Sequence, residues 1–126
     1  MKNMICAMSI LSMLLIGTTS YAKQINQRVQ TLEEMIIKLE DSVLRKDYTS
    51  AIEQYNQFEK QWESTQRIVM AFTDHRQLEL TNQTIYELKG YIYQRNDEEI
   101  LIKSTVLKKL LYYLAENERL KPENIF

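Results

Sequence analysis

The only histidine of the chain, His75, directly follows Asp74. An imidazole beside a carboxylate can act as a base or a metal ligand. Asp74-His75 is therefore the one place where residue types alone suggest catalysis. Its spacing argues against it. Adjacent residues on a helix point about 100° apart, so the two side chains do not face each other. Asp is a favoured N-cap residue. The expected role is structural: Thr73 or Asp74 caps a helix, and His75 packs against Trp62 or Phe72. No other chemistry is legible. A di-iron bundle needs Glu-x-x-His on two helices, and position 72 is Phe. Two glycines do not build a phosphate loop. The runs Glu33-Glu34 and Asp97-Glu98-Glu99 lack calcium-loop spacing and read as solvated helix faces. No catalytic, cofactor-binding or metal residue is assigned, and a non-enzymatic protein is expected.

The positioning elements centre on Gln57 to His75, which holds the only Trp, the only His and two of the three Phe. Phe58, Trp62, Thr65, Val69 and Phe72 recur three and four apart, one face of a helix. The 126 residues suggest one folded domain, and two Gly with one Pro favour helix over hairpins. Sixteen basic residues balance 17 acidic ones. They are scattered, and the basic patch or stripe of a nucleic-acid-binding surface is missing.

Asn3 to Ala22 carries no charge, and Met4 to Ile16 is mostly Met, Ile and Leu. Lys2 precedes this run, and Ser20-Tyr21-Ala22 is a small-x-small triplet before Lys23. These are the parts of a secretory signal peptide. The alternative is an uncleaved anchor, because the run can just cross a bilayer. Residues 1–22 are thus read as signal peptide or membrane anchor, with cleavage after Ala22 favoured, and 23–126 as the folded domain. Either reading places the domain outside the cytoplasm, at the outer face of the cell membrane or secreted. The single cysteine, Cys6, lies inside the leader, so a cleaved chain would have no disulfide.

Four helices follow. The first runs from Gln24 to Lys46 with the seam Ile25, Val29, Leu32, Ile36, Leu39 and Val43. Asp47 caps the second, whose seam runs from Tyr48 through Ala51, Tyr55, Phe58 and Trp62 to Phe72. The third carries Leu78, Thr81, Ile85, Leu88 and Ile92, with Gly90 offering a neighbouring helix a close approach. Asn96 or Asp97 caps the fourth, with the seam Ile100, Ser104, Leu107, Leu111 and Leu114, and Pro122 ends it. The tail Ile125-Phe126 is expected to fold back onto the bundle. The eight Tyr are read mainly as core. Short connections force antiparallel neighbours, so the fold expected is an all-α, up-down four-helix bundle.

Several segments resemble a family of short bacterial proteins described only as a domain of unknown function. They are Trp62-Glu63, Phe72-x-Asp74-His75, Leu88-x-Gly90-Tyr91-Ile92, Leu107-Lys108-x-Leu110, Glu116-x-Glu118 and the terminal Asn124-Ile125-Phe126. The resemblance implies an exported or membrane-anchored helical protein of a Gram-positive bacterium, with no known reaction. The N-terminal segment here is more signal-like than the family's usual anchor.

Two function classes remain. One is an interaction module that binds a protein partner, a membrane protein or another copy. Its candidate surface is a second apolar strip on the fourth helix, Ile102, Val106 and Tyr113, with Leu110 bridging it to the seam. The strip lies roughly opposite Ile100, where a surface helix normally carries charge. The bland alternative is that this helix is simply buried more deeply. The other class is a small-ligand-binding bundle with an inter-helix pocket near Tyr55, Trp62 and Tyr91.

Overall fold

A computed structural model describes the backbone of residues 2–124 and the side chains of residues 2–17 and 20–116. Four helices make up the described chain: α1 (Lys2–Leu44), α2 (Tyr48–Val69), α3 (His75–Tyr93) and α4 (Asp97–Asn124). They pack as a helical bundle in which α1 touches α2 and α4, and α3 touches α4 and α2. The described residues contain no strand.

The core is built by the seams at helical spacing. Ile25, Val29, Leu32, Ile36, Leu39 and Val43 of α1 are all buried. So are Ala51, Tyr55, Phe58, Trp62, Thr65 and Val69 of α2, and Leu78, Thr81, Ile85, Leu88 and Ile92 of α3. In α4 the buried residues are Ile100, Ser104, Leu107, Leu111 and Leu114. Each apolar side chain so buried stabilises the fold by about 1.5–3 kcal/mol relative to exposure. The buried threonines bond the carbonyl one turn back: Thr65 to Gln61, Thr81 to Gln77 and Thr84 to Leu80. Ser104 Oγ, between Ile100 and Leu107, is buried with no hydrogen-bond partner.

Two of the three inter-helix turns share one construction. After α1, Lys46 adopts φ 60° and the Asp47 N–H reaches back to the Ser42 carbonyl at 2.9 Å. After α3, Arg95 adopts φ 54° and the Asn96 N–H reaches the Tyr91 carbonyl at 3.0 Å. This is the Schellman closure of a helix C-terminus, with a left-handed residue where Gly is usual. Asp47 and Asn96 then cap the next helix, accepting from the Ser50 and Glu99 N–H groups.

Several expectations are corrected. The first helix does not start at Gln24: α1 continues without a break from the apolar leader into the bundle. The second helix ends at Val69, so Phe72 lies in the turn, 55% exposed, rather than on the seam. The Phe72 and Thr73 N–H groups both donate to the Val69 carbonyl, closing the turn that the chain needs to reverse. Gly90 is exposed, and a Cβ there would meet nothing within 4 Å, so it makes no close approach. Pro122 does not stop α4, which continues to Asn124. Of the tyrosines only Tyr55 is fully buried. Tyr86, Tyr93, Tyr112 and Tyr113 are exposed, because they sit off the seams. Ile125-Phe126 lies outside the described residues.

Candidate functional site

Asp74 caps α3 as expected, its carboxylate accepting from the Arg76 N–H at 3.1 Å. His75 does not pack on Trp62 or Phe72. It projects into solvent, with Nε2 3.2 Å from the Glu79 carboxylate one turn on. At 100° per residue His75 lies about 100° from the centre of the buried α3 seam, which explains the difference. The pair therefore forms no enclosed site.

The proposed pocket is only partly assembled. Tyr55 and Trp62 do line a groove between α2 and α3, together with Glu59, Asn82 and Tyr86, of about 250 Å³. Tyr91 does not line it and packs half-buried against the core. Both aromatic residues spend their faces on packing. The Trp62 Nε1–H donates to Asn82 Oδ1 at 2.8 Å, satisfying the ring's one polar group. Burial, followed by the hydrogen bond to Glu59, pushes the Tyr55 phenol well above its ordinary pKa. A wider groove of about 430 Å³ runs along α1 and α2, lined by Lys38, Asp41, Arg45 and Gln54 among others.

The α4 strip lies at the surface. Ile102, Val106 and Tyr113 are 47%, 40% and 46% exposed, and Leu110 is half-buried beneath them. The Tyr113 ring meets Tyr112 edge-on at 6.0 Å between centroids. Lys103 turns aside to the Glu87 carboxylate of α3 at 2.6 Å, and Lys108 to Glu40 of α1 at 2.7 Å. These bridges fasten α4 on both flanks and leave the strip facing outward between them. Among the described residues nothing buries these side chains more deeply; cover by the Ile125-Phe126 tail, weighed as an alternative, lies outside the described residues.

Two further clusters were not legible in the sequence. At the end formed by the two matching turns, Asp97 accepts from Tyr48 at 2.6 Å and pairs with Lys46. Arg95 stacks over the Tyr48 ring, 5.1 Å from its centroid. The Lys46 and Tyr48 hydrogen bonds hold the Asp97 carboxyl below the usual carboxylate range. Near the α2–α3 turn Tyr21, on α1, is half-buried against the core. Its hydroxyl donates to the Ile68 carbonyl at 3.5 Å, and its ring meets Phe72 edge-on at 5.2 Å. Pairings between residues distant in sequence leave no periodic trace, which is why pattern reading missed both.

Residues 19–125 match DUF4363, a domain of unknown function. The chain belongs to that family. The DUF4363 segment opens at Thr19, so it takes in Tyr21 and the whole bundle. No curated protein and no solved structure matches the chain.

Upstream of that segment α1 is exposed and apolar from Met4 to Ile16. Among the described residues it is the one helix long and apolar enough to cross a membrane, and none of that stretch is buried in the protein.

Proposed function

We propose that the protein is a non-enzymatic module at the outer face of a bacterial cell membrane, where it binds a protein partner. Residues 1–22 stay attached as its anchor, and the strip Ile102, Val106, Leu110 and Tyr113 docks a membrane protein or a second copy. The carrying observation is the unbroken α1, whose leader half feeds Tyr21 into the bundle. Cleavage after Ala22 would remove Tyr21, uncover Phe72 and cut inside the matched segment. That weighs for the anchor over the secreted form favoured by the leader's sequence alone.

The four helices are read as an up-down ring. Partners across α1 and α2 run Ser42–Ser50, Arg28–Ser64 and Tyr21–Ile68, one number falling as the other rises. Those across α1 and α4, Lys46–Asp97 and Glu40–Lys108, behave alike. The ring puts the two matching turns at one end and the α2–α3 turn beside the emerging anchor. The small-ligand reading is the weaker one. Its groove is below the usual 300 Å³ of a ligand pocket, and the Trp62 indole N–H is already bonded.

N-terminal sequencing after cell fractionation tests the anchor. The expected product is membrane-bound, retains Met1 and yields its bundle to protease added outside intact cells. A soluble product starting at Lys23 would overturn retention, and a cytoplasmic one would overturn export altogether.

A further inference from the structure

The three inter-helix turns differ in chemistry. Arg45-Lys46-Asp47 and Gln94-Arg95-Asn96 are polar throughout, as solvent-facing turns normally are. The third, Met70-Ala71-Phe72-Thr73-Asp74, carries charge only at its cap Asp74, and Met70 and Phe72 are 61% and 55% exposed. It is also the turn that touches the root of the anchor, through Phe72 on Tyr21.

From these facts we infer that the α2–α3 turn is a second membrane contact. Met70 and Phe72 dip into the headgroup–acyl boundary of the same bilayer that α1 crosses. This rests on the anchor reading above. The lengths agree with it. Uncharged sequence from Asn3 to Ala22 makes about 30 Å of helix, the thickness of a hydrocarbon core. Tyr21 then lies at the interface, the level where Tyr is enriched in membrane proteins. Because Tyr21 touches both Ile68 and Phe72, the turn is held at that level too. Apolar side chains at this depth gain burial without crossing the bilayer.

Charge fits the same plane. Lys23, Arg67 and Arg76 are exposed around this end, on α1, the last turn of α2 and the first turn of α3. They lie where lipid phosphates would be. Asp74 accepts from the Arg76 N–H and Glu79 lies 3.2 Å from His75, while Glu63, one turn before Arg67, is exposed, so basic and acidic side chains both ring this end. A bundle gripped at two points stands upright, with its polar turns roughly 35 Å from the membrane, given the 24 residues of α1 from Tyr21 to Leu44.

The test uses the full chain with Cys6→Ser, which removes the only cysteine. Ile10→Cys, Met70→Cys or Gln94→Cys is introduced singly and labelled with an environment-sensitive fluorophore. The protein is reconstituted in vesicles of phosphatidylglycerol and phosphatidylcholine, with or without nitroxide on the acyl chains. Circular dichroism confirms that each variant keeps its helicity. Nitroxide lipid should extinguish the label at residues 10 and 70 and spare it at residue 94. Loss at residue 10 with full emission at residue 70 overturns the turn contact and leaves the anchor standing. A label at residue 70 that is shielded from water but not quenched points to protein cover instead, and also overturns it. Full emission at residue 10 overturns the anchor itself.

Discussion

Trp62 shows what a single position can and cannot reveal. Its place three and four residues from Phe58, Thr65 and Val69 predicted burial, and the ring is buried. Trp62→Ala should cost about 3–5 kcal/mol, read by urea unfolding of the detergent-solubilised chain; a loss under about 1 kcal/mol would contradict a core role. Phe72 continued the same spacing yet lies in a turn, because periodicity says nothing about where the chain must reverse. Ser104 carries an opposite expectation. Its hydroxyl is buried without a partner, which costs about 1–3 kcal/mol. Ser104→Ala should therefore leave stability unchanged or raise it by about 1 kcal/mol, against the usual destabilisation by core substitution. Asp97 sets a pH dependence. Its folded pKa is depressed by Lys46 and then Tyr48. Its contribution is thus complete above the unfolded value near pH 4 and fades as the pH falls through the folded pKa. The stability gap between the parent chain and Asp97→Asn should stay constant from neutral pH to about pH 5 and shrink below about pH 4. A gap that widened on acidification would contradict the sign.

The four core seams were readable at the level of elements, since burial on one side imposes a helical period on apolar residues. The ends were less so. α1 merges leader and domain because no helix breaker separates Ile16 from Ile25; Gly17 alone costs only about 1 kcal/mol. The matching turns were legible only in part. Asp47 and Asn96 announced their caps, but Lys46 and Arg95 gave no sign of a left-handed backbone. That conformation costs a non-glycine residue about 1–2 kcal/mol. At Lys46, Gly and Ala both delete the pairing with Asp97, so their difference isolates the backbone term. Lys46→Gly should be more stable than Lys46→Ala by about 1 kcal/mol, and Arg95 should behave alike. In a helix interior the order is reversed. Chemical denaturation of the four variants decides it, and Ala equal to or above Gly would refute the turn geometry.

At the scale of the whole molecule, the two flanks of α4 are committed. The buried seam Ile100, Leu107, Leu111 and Leu114 sets the rotation of the helix, Lys103 and Lys108 bridge its sides to α3 and α1, and Ile102, Val106 and Tyr113 face outward. The strip was visible in the sequence as apolar residues where charge belongs. Whether it faced a core or solvent was not, because that depends on how many neighbours pack around α4. With α1 and α3 on its sides, no further helix covers it among the described residues. If the bundle stands on the membrane, the strip runs roughly along the membrane normal. A partner would then lie beside the bundle, as an extracytoplasmic part of a membrane protein or a second copy does. Ile102→Asp together with Val106→Asp tests this directly. Substitutions at exposed positions usually stay within about 0.5 kcal/mol, so helicity and melting temperature should be preserved. Crosslinking in intact cells, followed by mass measurement of the solubilised protein, should then show the partner adduct or dimer lost. An unfolded variant would return the strip to the core, and an unchanged adduct would move the docking surface elsewhere on the bundle.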